Sequence, residues 1–257
     1  MSEQVKSQFP TEMVDIPSKG KLYPKEHPFS SGKVELRYMT AKEEDIITSR
    51  TLIQKGIAFD RLLESLLVEK VDLKTLLVGD KNALLIAARV LGYGKEYSIN
   101  VTDSMGQKQE IEVDLSAILD KPIDFKKFIE GTRHFEVKLP LSKRSVVVKI
   151  NNGQDEDMID ADLKGLKKLA KSTGVVPEIT TRLIHSIVSV DGNDKKEAIR
   201  SFVNNELLAG DSSFIRDELY DMSPDLDMTT EFEDSDGEIQ DIDIPINLDF
   251  FFPNTRR

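Results

Sequence analysis

The stretch 33–50, KVELRYMTAKEEDIITSR, changes its hydrophobic period midway. Lys33–Met39 alternates apolar and polar side chains, so Val34, Leu36 and Tyr38 share one face of a strand. Thr40 then offers a hydroxyl to an orphan N–H, and Glu43, three residues on, can reach back to the Thr40 backbone. That is a capping box and predicts a helix start. Apolar residues continue at helical spacing through Ile46, Ile47 and Ile53 to Gly56. With the helices and antiparallel hairpins that follow, the expected class is α+β.

Working outward, the same reading extends to both ends. Ala58–Glu69 predicts a helix with Leu62, Leu63, Leu66 and Leu67 on one face, and Asp72–Val78 a short helical turn. Asp80 is expected to cap a helix over Asn82–Leu91, apolar nearly all round and closed by Gly92 and Gly94. Glu96–Thr102 with Gln109–Leu115, and His134–Leu139 with Ser145–Ile150, read as hairpins. Helices are expected over Asp155–Lys171, Glu178–Val190, Lys195–Glu206 and Ser212–Tyr220. Phe232–Asp236 and Ile242–Ile246 are expected to pair as a last hairpin. The expected architecture is helical N-terminal and C-terminal parts around antiparallel hairpins, preceded by an extended N-terminal arm. The expected divisions are 1–32 (arm), 33–152 (mixed helix and hairpin) and 153–257 (mainly helical, with an acidic segment and a C-terminal aromatic strand).

The arm holds four of the ten prolines, and Phe9, Ile16, Leu22 and Tyr23 recur through it as apolar anchors. An arm of this kind lies either on its own domain or on a partner. At the other end, Leu248-Asp249-Phe250-Phe251-Phe252-Pro253 is too apolar to be left in water. Read as extended, it puts Leu248, Phe250 and Phe252 on one side and Phe251 on the other, for docking onto the C-terminal helices or onto a partner. These eight residues are the candidate partner-binding set.

Composition excludes several chemistries. The 257 residues contain no Cys, which rules out a disulfide scaffold, an iron–sulfur cluster and a thiol nucleophile. The three histidines, His27, His134 and His185, are scattered in sequence and suggest no metal site. No apolar run approaches the ~20 residues that cross a bilayer, and the start, MSEQVKSQFP, lacks an apolar signal core. A soluble intracellular protein with no membrane partner is expected. Net charge is −11, and residues 211–249 hold 14 acids against one base, while residues 1–210 are balanced. This is not the basic stripe of a nucleic-acid binder. It is either a solvated acidic face or a surface steered toward a basic partner.

Catalytic motifs fare poorly. There is no phosphate-binding GxxxxGK or GxGxxG, and Gly92-Tyr93-Gly94 reads as a helix terminus. Gly210-Asp211-Ser212 contains a serine, but a nucleophile needs a base, and His185 lies within the apolar pattern LIHSIV. The acids before Gly237 do not fall at the spacing of a calcium-binding loop, which leaves at most a weak surface cation site. No cofactor is expected.

Four stretches carry a resemblance: residues 16–24 (IPSKGKLYP), 31–46 (SGKVELRYMTAKEEDI), 76–83 (LLVGDKNA) and 87–94 (AARVLGYG). In this order and spacing the chain resembles the baseplate hub subunit and hub assembly protein family of T-even-like contractile-tailed bacteriophages. Ser189-Val190-Asp191-Gly192, Phe202-Val203, Pro224-Asp225-Leu226-Asp227 and Phe250-Phe251-Phe252-Pro253 add a looser likeness. The resemblance implies a non-enzymatic subunit of the central hub in the virion tail, assembled in the bacterial host cytoplasm. The implied partners are other hub or tail proteins, with an oligomer within the hub as a further expectation. The alternatives are an assembly chaperone that leaves before completion, or an unrecognised enzyme. Some members of the family carry Cys-x-x-Cys-Gly knuckles. The corresponding positions here are Thr102 and Met105 before Gly106, and Glu233 and Asp236 before Gly237, so plain turns without zinc are expected.

Overall fold

A computed structural model describes residues 10–102, 106–169 and 174–251. Strand β1 (Thr11–Asp15) lies inside the arm and pairs antiparallel with β2 (Lys33–Arg37), Met13 opposite Glu35. The capping box forms as expected: the Thr40 N–H donates to Glu43 at 2.9 Å, opening helix α1 (Ala41–Thr48). Helix α2 (Arg50–Gln54) follows after a break at Ser49, whose ψ of 107° ends the first helix, so the expected continuous helix to Gly56 is two short ones. Helix α3 (Ala58–Leu66) buries Leu62, Leu63 and Leu66.

Helix α4 (Val78–Tyr93) is the central element and begins four residues earlier than the sequence suggests. Asp80 is therefore not its cap. It sits in the first turn, buried, and points back at the arm. The helix closes at Gly94, whose φ of 86° only glycine adopts freely. Strands β3 (Glu96–Thr102) and β4 (Lys108–Asp114) form one hairpin, and β5 (His134–Lys138) and β6 (Ser145–Lys149) another.

Helices α5 (Gly153–Leu169) and α6 (Glu178–Ser186) pack against each other after the second hairpin. The expected helix over Glu178–Val190 ends at Ser186. Ile187-Val188-Ser189-Val190 becomes strand β7, which joins β6 as the third strand of its sheet. β-Branched residues lose rotamer freedom in a helix and pack well on a pleated sheet, so the open edge of β6 captures them. Helices α7 (Lys196–Asn205) and α8 (Ala209–Met222) lead to the last hairpin, β8 (Thr229–Glu233) and β9 (Ile239–Asp243).

The C-terminal segment is not the expected strand. Leu248–Phe251 forms a 3₁₀ turn, because Asn247 accepts the Phe250 N–H through both its carbonyl and its side-chain oxygen, at 3.2 and 3.1 Å. The turn brings Phe250 and Phe251 into the interior together, where an extended chain would have put them on opposite sides. Ile16, Leu22 and Phe29 from the arm, Leu84 and Phe135 from the middle, and Phe202, Phe250 and Phe251 from the C-terminal part belong to one buried apolar cluster. The fold is α+β: eight α-helices and four small antiparallel sheets among the described residues.

Candidate functional site

The stretches singled out in the sequence converge on the two ends of α4. At its start, Asp80 receives two hydrogen bonds from the arm: the Ser18 N–H on Oδ1 at 2.9 Å and the Tyr23 hydroxyl on Oδ2 at 2.7 Å. The Tyr23 oxygen in turn accepts the Leu77 N–H at 3.0 Å, taking up one of the orphan donors at the helix start. Burial pushes the Asp80 carboxyl above the ordinary carboxylate range, against the pull of these donors. The Tyr23 phenol is likewise raised by its burial and by Asp80. Tyr23 also stacks on His27, with ring centroids 4.4 Å apart.

Two glycines allow this arrangement. A Cβ on Gly20, at φ +73°, would fall 2.3 Å from the Ser30 carbonyl oxygen, so two turns of the arm lie backbone to backbone. A Cβ on Gly79 would fall 1.9 Å from the Pro224 carbonyl oxygen, so the first turn of α4 lies directly against residues 224–225. Asn82 reaches Asp225 there at 3.4 Å, and the Asp225 carbonyl accepts the Lys121 N–H at 2.8 Å. Lys19 pairs with Asp120 across the same junction.

At the other end of α4, Arg89 is 1% exposed and is held by three backbone carbonyls: Phe250 at 2.8 Å, Gly94 at 2.7 Å and Glu96 at 3.1 Å. A buried guanidinium spread over three carbonyls has its donors well used. Phe250 packs edge-on against Tyr97 at 4.9 Å, and Phe251 lies against Phe59 at 5.6 Å. The arm and the C-terminal turn are thus tied to opposite ends of one helix. A reading of α4 as apolar all round misses Arg89. The signal is the arginine placed just before Gly92-Tyr93-Gly94, a turn that leaves carbonyls open.

Of the eight candidate partner-binding residues, Ile16, Leu22, Tyr23, Phe250 and Phe251 are buried in this chain's own core. Phe9 and Phe252 lie outside the described residues, and of Leu248 only the backbone is described. At the surface the arm presents Lys21 and Lys25, and Met13 is exposed as well. Together with Phe125, Lys126 and residues 128–131, Lys21 and Lys25 border an open groove of about 450 Å³.

The residues that suggested chemistry have structural partners. Asp211 is buried and accepts the Leu141 and Ser142 N–H groups at 2.8 and 2.9 Å, pinning the β5–β6 turn to α8. His185 lies 2.9 Å from Asp162. Asp234 accepts the Asp236 and Glu238 N–H groups at 2.9 and 3.1 Å and so shapes the β8–β9 turn, with Gly237 at φ +79°. Gly106 closes the β3–β4 turn at φ +80°, and Met105 lies outside the described residues. Among the described residues no group of three or more acids or histidines is placed to hold a metal ion, and no helix is long and apolar enough to cross a membrane.

No curated protein and no solved structure matches the chain. A family model described as T4 bacteriophage base plate protein matches residues 10–252, a span that takes in both tied ends of α4. The chain belongs to the family of T4 bacteriophage base plate proteins.

Proposed function

We propose that this baseplate protein is a structural subunit of the central hub, acting in baseplate and tail assembly by binding other hub or tail proteins. The observation that carries the reading is the use made of the buried polar groups. Asp80, Arg89, Asp155 and Asp211 all hold separate segments together; Asp80 bonds to the arm, Arg89 to the C-terminal turn and Asp211 to the β5–β6 turn. A protein built to present a fixed surface needs such ties, whereas a catalyst needs polar groups left facing a substrate.

In this proposal the arm and the C-terminal segment shape the binding surface. Ile16, Leu22, Tyr23, Phe250 and Phe251 hold those segments in place from beneath, and the partner meets the exposed residues above them. Assembly in the host cytoplasm and retention in the finished tail belong to the same reading. Interrupting the gene in an infecting phage tests it: baseplates should stall before completion, and a normal yield of complete tails would overturn it.

A further inference from the structure

The groove beside the arm is an unusual surface on a chain of net charge −11. Its walls carry Lys21, Lys25 and Lys126 against the single acid Glu130, and its lining includes Phe125 and Phe128. The Lys21 ammonium sits over the Phe125 ring, 4.8 Å from its centre. None of the three lysines is in an ion pair among the described residues. Three cations around an aromatic lining attract carboxylates and apolar side chains together.

The complementary surface lies on the same chain. In the β8–β9 hairpin Phe232 faces the core, and the opposite face carries Glu231, Glu233, Asp241 and Asp243 with Ile239, which is 71% exposed. Glu231 stands directly across from Asp241, and like charges in that position destabilise a hairpin. None of the four is in an ion pair among the described residues either. A basic groove and an acidic, isoleucine-bearing hairpin face are therefore both left uncompensated within one copy.

We infer that the groove bordered by Lys21, Lys25 and Lys126 docks the acidic face of the β8–β9 hairpin of a second copy of this chain. The contact pairs two different surfaces, so copies join either reciprocally, as a two-fold dimer in which each groove takes the other's hairpin, or head to tail, as a ring or filament. The inference rests on the assembly reading and deepens it by naming one partner.

Sedimentation velocity of the full-length chain over a range of concentrations and salt tests it. The natural protein should self-associate at low salt and dissociate as salt screens the pairs. A groove variant (Lys21→Glu, Lys25→Glu and Lys126→Glu) and a hairpin variant (Glu231→Lys, Glu233→Lys, Asp241→Lys and Asp243→Lys) should each bind itself on the order of a hundredfold more weakly, through like-charge contact. Mixed in equal amounts they should associate again, which also shows that both are folded. A natural protein that stays monomeric at low salt overturns the inference, as do variants that associate like the natural chain or a mixture that stays monomeric. A monomeric natural chain whose groove variant alone fails to enter tails would give the groove to a different baseplate protein, again against the inference. The hub reading stands or falls separately, on the composition of the tail.

Discussion

Tyr23 and Asp80 are 57 residues apart in sequence and joined by a 2.7 Å hydrogen bond in the interior. Because Tyr23 also accepts from Leu77, one hydroxyl closes the arm, the helix start and a buried carboxyl into a single unit. Tyr23→Phe removes both bonds and leaves buried polar groups short of partners, which costs about 1–3 kcal/mol. Thermal unfolding should show a lowered midpoint, and an unchanged midpoint would mean the arm is not held this way.

Arg89 makes a parallel case at the C-terminal end. Truncation after Asp249 removes Phe250 and Phe251, each fully buried, and each Phe is worth roughly 1.5–3 kcal/mol of burial. It also takes from Arg89 the Phe250 carbonyl. The truncated chain should unfold at a clearly lower temperature. Equal melting of the two chains would show that the terminal turn contributes nothing to the fold.

The glycines give a contrast within one experiment. Gly79→Ala puts a methyl group where the Pro224 carbonyl oxygen lies, and overpacking of that kind costs about 1–3 kcal/mol. Gly165 lies within α5, where a methyl group would meet nothing within 4 Å, so Gly165→Ala should stabilise by about 0.5–1 kcal/mol through helix propensity. Denaturant melts that moved both variants in the same direction would contradict this account of the α4 start.

Much of this is legible in the sequence where the cause is local. The capping box of Thr40 and Glu43, the leucine face of α3 and the first two hairpins depend on neighbours within a few residues. What escapes depends on distant partners. Ile187–Val190 becomes a strand only because β6 offers an edge. Asp80 resembles a cap in the sequence because its true donors, Ser18 and Tyr23, come from the arm. The phenylalanines near the end favour a strand by type, and Asn247 overrides them. The groove is hidden for the same reason, since Lys21 and Phe125 meet only in the folded chain.

Acid stability should follow Asp155. Burial alone would raise its carboxyl, but Lys149 and Arg133 on either oxygen and the Asn152 N–H outweigh that and hold it below the ordinary value of 3.8. A carboxyl depressed in the folded state contributes stability above its unfolded value, and that contribution is lost as pH falls through the folded value. Stability should therefore drop as pH falls through and below the ordinary carboxylate value of 3.8, and Asp155→Asn should be less stable at neutral pH with a shallower acid dependence. Parallel pH profiles for the two proteins would rule out this role.

The hub assignment is most directly tested by quantitative mass spectrometry of purified, completed tails. A structural hub subunit is present in a fixed copy number per tail, in constant ratio to the other baseplate proteins and resistant to washing. A chain abundant in infected cells but absent from completed tails would contradict the assignment.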